Sequence, residues 1–249
     1  MIIDAHGHLG AWFAFAIPDS STASLVRVMD RCDVATMCVS HMLAIGPDAR
    51  AGNALLLKEI EQYPDRFLGY AVFDPHDPEA TERTADLLAT PGVVGLKLHP
   101  DTHEHLLDGP GYEAAFQLAA EHDCIVLAHS MHGSRWCAPD RFATVAARHP
   151  SVELLMGHAG LLPAGFPAAA EVASQHPNVT LELCGSRMTA RDIAWFVDTV
   201  GADRMAFGSD ALFLDLRVGL GRVQLAPISA ADRDQLLSGT MTRLLKGRR

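Results

Sequence analysis

Eight short apolar runs, each followed by a stretch of helical periodicity, constrain this chain more than any other feature. The runs are Met1–His8, Val34–Ser40, Phe67–Phe73, Val93–His99, Ile125–His129, Val152–His158, Val179–Cys184 and Arg204–Asp210. Helical patterns are predicted over Ser21–Arg31, Asp48–Gln62, Asp77–Ala89, Tyr112–His122, Pro139–Arg148, Pro167–Gln175 and Thr189–Val200, and again from Asp215 and from Ser229. Strict strand–helix alternation implies parallel strands joined by right-handed crossovers. The runs are apolar on both faces, as strands buried between a core and a helical layer must be. Eight such units in 249 residues fit a closed, distorted (β/α)8 barrel of the TIM type, with residues 1–249 as one domain. An open doubly wound sheet fits less well, because no Gly-x-Gly-x-x-Gly follows the first run.

In a barrel of this kind the reactive groups lie at the C-terminal ends of the strands. The first run ends in His6-Gly7-His8, the fourth in Lys97 and His99, the fifth in His129, the sixth in His158 and the eighth in Asp210. Side chains alternate along a strand, so His6 and His8 share a face, as do Lys97 and His99. Gly7 is expected to let the backbone lie close to whatever the two imidazoles hold. A His-x-His pair alone is a weak signal in a chain with 13 histidines. Ligand-type residues at one rim on several separate strands are a far stronger one.

Composition narrows the remaining classes. A net charge of −10 disfavours nucleic acid as a partner. No run approaches the roughly 18 uncharged apolar residues of a membrane span, and no signal-peptide pattern precedes His6. The five cysteines are odd in number, widely spaced and without a C-x-x-C, which fits thiols in the cytoplasm. The apolar stretch Leu9–Pro18 reads as a pocket wall or a packing surface, including one between copies of the chain in a homo-oligomer.

Taken together, Asp4-Ala5-His6-Gly7-His8, Gly95-Leu96-Lys97-Leu98-His99-Pro100, Leu127-Ala128-His129, Met156-Gly157-His158-Ala159-Gly160 and Phe207-Gly208-Ser209-Asp210 make the chain resemble the amidohydrolase superfamily. Within it, the likeness is to the amidohydrolase-related branch of metal-dependent hydrolases and decarboxylases. The resemblance implies one or two divalent cations, with His6, His8, His129 and Asp210 holding the first and His158 binding substrate or a second. In binuclear members a lysine on the fourth strand is carboxylated and bridges two metals. Lys97 is the candidate for that role, with His129 and His158 on the second ion. It can equally stay an ammonium that binds a substrate carboxylate, or pair with a buried acid such as Glu182. His99 is either a pocket residue or a cap for its own turn before Pro100.

The chemistry of these residue types agrees. Three imidazoles and a carboxylate suit Zn2+, with Mn2+ or Fe2+ as alternatives. Asp210 can take a proton from an activated water and pass it to a leaving group, and His158 can polarise a carbonyl. Asp4 either orients a ligand or is structural. Arg135 and Arg187 could clamp an anionic substrate, and Trp12, Phe13 and Trp136 could wall an apolar one; surface exposure and plain packing are the ordinary alternatives. His103-Glu104-His105 is expected to be a solvated loop. Hydrolysis of an amide, ester or lactone in a small molecule is the leading expectation, favoured by the compactness of the chain. A non-oxidative decarboxylase or hydratase, or a metal-binding barrel without catalysis, are the alternatives.

Overall fold

The protein is described from a computed structural model covering residues 1–14 and 16–248. Phe15, within the apolar stretch after the first run, lies outside the described residues. Eight strands are formed: β1 (Ile2–Leu9), β2 (Val34–His41), β3 (Phe67–Val72), β4 (Val93–Leu98), β5 (Ile125–His129), β6 (Glu153–Gly157), β7 (Val179–Glu182) and β8 (Met205–Ala206). They lie in sequence order and every neighbouring pair is parallel. The ring closes through the segment after β8. Ala5 N–H donates to Phe207 O and Asp210 N–H to His6 O, both at 2.8 Å, and His8 N–H donates to Ala211 O. The result is a (β/α)8 barrel of the TIM type.

Register decides what faces inward. Lys97 on β4 lies beside Leu127 on β5, which lies beside Leu155 on β6. Ile125, Leu127 and Leu155 are buried with Tyr70 and Ala206 in one cluster. The intervening Val126, Ala128, Leu154 and Met156 pack outward with the helical Phe116, Phe142, Phe166 and Phe196. β1 is not regular. Asp4 pairs with Met37 but Gly7 with Val39, so β1 carries one extra residue against β2. Such a bulge re-phases a strand. It places His8 level with the inward-facing Ser40 and turns Gly7 to the outside, where an added Cβ would strike the Met37 side chain. The freedom of Gly7 therefore serves packing against β2, not close approach to a ligand.

Side-chain caps set several of the helix starts. Ser21 caps Thr22–Arg31, Asp48 caps Ala49–Gln62, and Thr189 with Asp192 forms a capping box on Ala190–Val200. Asp77 does not cap. It accepts the N–H of Glu79 in a local turn and binds Arg83, and the helix starts later, at Ala80. The eighth strand is also shorter than predicted, because the chain leaves the sheet after Ala206 on its way to Asp210, which is left-handed (φ 58°). Among the described residues no helix is long and apolar enough to cross a membrane.

Candidate metal centre at the barrel mouth

His6 and His8 present the same ring nitrogen to one place. His6 Nδ1 lies 2.7 Å from Glu182 Oε2. A carboxylate only accepts, so Nδ1 carries the proton and Nε2 keeps its lone pair. His8 Nδ1 lies 3.0 Å from Ser40 Oγ. Both Nε2 atoms then point at Asp210 Oδ1, at 3.8 Å from His6 and 3.1 Å from His8. Bonds of about 2.1 Å in a tetrahedron need ligand atoms about 3.4 Å apart. These two separations, with all three ligand atoms within 4.8 Å of one another, and the N, N, O donor set fit a divalent cation.

Lys97 is the inward lysine that strand parity requires. It is buried, and its Nζ sits 2.8 Å from His6 Nε2. The amine thus competes for the nitrogen that faces Asp210. Burial depresses its pKa, against the attraction of Asp210, Cys184 and Glu182. Burial likewise pushes His6, His8 and His158 below the usual histidine range, and neutral imidazole is the form that binds metal. For Asp210 burial acts upward. The hydrogen bond from His8 and the charges of His6, His8 and Lys97 outweigh it and hold the carboxyl below the usual aspartate value.

Glu182 organises the floor of this centre. Besides His6, it accepts the backbone N–H of His158 at 3.1 Å and of Cys184 at 2.7 Å. Gly208 permits this, since any Cβ there would overlap the Glu182 carboxylate. Asp4, by contrast, touches no imidazole. Its Oδ1 accepts the backbone N–H groups of His6 and Ser209, both at 3.0 Å, and so ties β1 to the segment after β8.

The other predicted residues are distributed around the mouth. His158 Nδ1 lies 2.8 Å from Cys184 Sγ, and its ring is 5.1 Å from that of His6. His158 and Ala159 are both left-handed (φ 66° and 45°), a backbone setting that non-glycine residues seldom adopt and that turns the imidazole over the barrel. His129 ends β5 at the same mouth. Its ring stacks on His99 at 4.3 Å, meets His158 edge-on at 4.8 Å, and directs Nε2 to Asp101 Oδ2 at 3.5 Å. His99 is a cap: its Nδ1 accepts the N–H of Thr102 at the start of a short helix, Pro100–His103. Arg135 is exposed and lies over Trp136, and Arg187 is exposed. Trp12 packs on Phe13 and Phe213, and Phe213 lies 5.4 Å from His8. Phe13 is largely exposed, so Trp12 and Phe213 form the aromatic wall of the mouth. The second His-x-His is not solvated. His103 is buried with Nδ1 2.7 Å from the Tyr112 hydroxyl, because the short helix after β4 folds it inward.

Sequence reading did not assign roles to Ser40, Asp101, Cys137 or Phe213, and it named Glu182 only as a partner for Lys97. The acid within the apolar run Val179–Cys184 was the available signal for Glu182.

Fold and centre together define a TIM-type barrel with candidate metal-ligand side chains gathered at the C-terminal ends of its strands. The sequence matches the amidohydrolase family over residues 3–247, and the chain belongs to that family. No curated protein matches it. Among solved structures it is similar to 5-carboxyvanillate decarboxylase from Sphingomonas paucimobilis, with 15% identity, 98% of each chain covered and a TM-score of 0.77. A dihydroxybenzoic acid decarboxylase from Polaromonas sp. JS666, with bound manganese and the inhibitor 2-nitroresorcinol, is 18% identical over 100% of this chain and 97% of that one, with a TM-score of 0.77. An amidohydrolase from Burkholderia multivorans with bound zinc is 19% identical over 99% of each chain, with a TM-score of 0.76. Because the alignments span nearly all of the decarboxylase chains, the compactness of this chain does not separate hydrolysis from decarboxylation.

Proposed function

We propose that this chain is a metal-dependent hydrolase that cleaves an amide, ester or lactone bond in a small molecule. The observation that carries the reading is the convergence of His6 Nε2, His8 Nε2 and Asp210 Oδ1, with Asp210 held as a carboxylate. A divalent cation there, Zn2+ by donor set with Mn2+ or Fe2+ as alternatives, supplies Lewis acidity and acidifies water. Asp210, through its other carboxylate oxygen, accepts the proton of the attacking water and returns it to the leaving group. His158, anchored through Nδ1 to Cys184, offers its other nitrogen to the carbonyl. Glu182 fixes the His6 tautomer, and Trp12 with Phe213 shields one side from solvent.

A second reading, non-oxidative decarboxylation, is favoured by one observation. The Trp12–Phe213 wall beside His8 suits a planar ring, and two of the similar structures are decarboxylases of aromatic acids. The experiment is turnover of ester, lactone, amide and hydroxybenzoate panels by chelator-treated protein reloaded with Zn2+ or Mn2+. Hydrolysis should appear only in the reloaded protein, and Asp210→Asn and His6→Ala should each lose it by orders of magnitude while staying folded. Release of carbon dioxide would establish the second reading instead. Near-normal turnover by either variant would overturn the centre.

A further inference from the structure

His6 and His8 each lean on another strand through Nδ1, and the two partners differ in kind. His6 meets Glu182 of β7 at 2.7 Å, and His8 meets Ser40 of β2 at 3.0 Å. Both contacts are buried. A carboxylate only accepts, so Glu182 holds His6 with its proton on Nδ1. A hydroxyl both donates and accepts, so Ser40 can face Nδ1 of His8 whether or not that nitrogen carries a proton.

The bulge in β1 is what brings His8 to Ser40. Counted from the pairing of Asp4 with Met37, a regular strand would set His8 level with His41. The extra residue sets it level with Ser40 instead. The exchange matters because His41 is committed elsewhere. Its Nδ1 accepts the N–H of Leu43 at 3.1 Å and caps the helix Met42–Ile45. Ser40 itself is buried, and its neighbour Val39 packs in the outer core. The hydroxyl therefore meets the imidazole inside the barrel, away from bulk water that could supply a donor or an acceptor in its place.

We propose that Ser40 is a positioning residue for the metal: its hydroxyl lets His8 exchange tautomer as the cation binds, while Glu182 keeps His6 in one. The assignment rests on the centre built around His6, His8 and Asp210. In chelator-treated protein, Nε2 of His8 faces the Asp210 carboxylate at 3.1 Å and carries the proton, because two lone pairs would otherwise meet there. Ser40 O–H then donates to Nδ1. When Nε2 gives its lone pair to a cation, its proton leaves to solvent and Nδ1 takes one from solvent. The new N–H donates to Ser40 Oγ, which turns its own proton away. His8 is neutral before and after, and the exchange releases no net proton. His6 needs no such change, since its Nδ1 already donates to Glu182. The centre thus joins one fixed ligand to one adaptable ligand.

The test is nitrogen NMR of the imidazoles in full-length protein with isotope-labelled histidine, first chelator-treated and then loaded with Zn2+. The His8 signals are assigned by their loss in His8→Gln. His8 should carry its proton on Nε2 before loading and on Nδ1 after it, whereas His6 should carry its proton on Nδ1 throughout. Ser40→Ala removes only the hydroxyl and should weaken Zn2+ binding in a chelator competition by roughly 10- to 100-fold. Ser40→Thr, which restores a hydroxyl, should recover most of that loss. A His8 proton that stays on one nitrogen through loading overturns the proposal, and this result needs only the unaltered protein. A folded Ser40→Ala protein with undiminished Zn2+ affinity overturns it as well. Failure of the unaltered protein to bind Zn2+ would instead overturn the centre itself, and the role of Ser40 with it.

Discussion

Asp4 makes the stability of this barrel depend on pH in an unusual direction. The residue is wholly buried, its Oδ1 accepts two backbone N–H groups, and among the described residues its Oδ2 has no hydrogen-bond partner. Burial, reinforced by the charge of Glu182 and opposed by hydrogen bonds from Ser209 and His6, pushes its pKa from 3.8 to about 7. The folded state therefore holds this proton more tightly than the unfolded chain does. The contribution to stability is fully present below pH 3.8 and is lost as pH rises to about 7. A shift of about 3 units at about 1.4 kcal/mol each is about 4 kcal/mol across that window. Asp4→Asn removes the charge and keeps an oxygen for both N–H groups. Urea unfolding of chelator-treated protein, wild type against Asp4→Asn, should show the variant gaining about 1.4 kcal/mol relative to wild type per pH unit between about pH 5 and 6.5. Titrating groups that do not interact with Asp4 are common to both proteins and cancel. A difference that stays level across that range would show that Asp4 titrates at its ordinary value and would refute the argument from burial.

Glu182→Gln keeps the shape of the side chain but removes the acceptor charge that fixes the His6 tautomer, so Zn2+ affinity in a chelator competition should fall by roughly 10- to 100-fold. Unchanged affinity would reduce Glu182 to a packing residue. Thr189→Ala deletes the side-chain half of the capping box on Ala190–Val200 and should cost about 1 kcal/mol in denaturant unfolding, with metal content unaffected because that helix end lies on the surface.

The fold was legible because its signal is repeated eight times and each repeat is local: an apolar run followed by a helical face. The inward direction of His6, His8 and Lys97 could also be read, since a strand offers only two faces. What could not be read was the bulge between Asp4 and Gly7, which depends on β2 and leaves no mark in β1 itself. Which nitrogen of which imidazole meets which acid was equally hidden. Glu182 reaches His6 across the ring from the opposite end of the chain, and nothing near either residue announces the pairing. The local signals that misled were also instructive. Asp77-Pro78 looks like a helix start, yet the aspartate prefers the nearer N–H of Glu79. His103 and His105 look polar and solvated, yet Pro100 starts a turn that folds His103 against Tyr112.

The seam between β1 and the segment after β8 carries a consequence for how the protein comes together. The N, N, O trio is split across the join between the first strand and the last, so it exists only once the ends of the chain have met. Long-range closure of this kind is the slow, entropically costly part of assembly. A cation that binds only the closed ring acts as a latch. At a concentration 100 times its dissociation constant it adds about 2.7 kcal/mol to the closed state. That latch bears on the seam itself, where the amides of His8 and Asp210 donate across the join. Withdrawal of the metal should therefore be felt first as faster hydrogen exchange at those two amides, with β4 to β6 little changed.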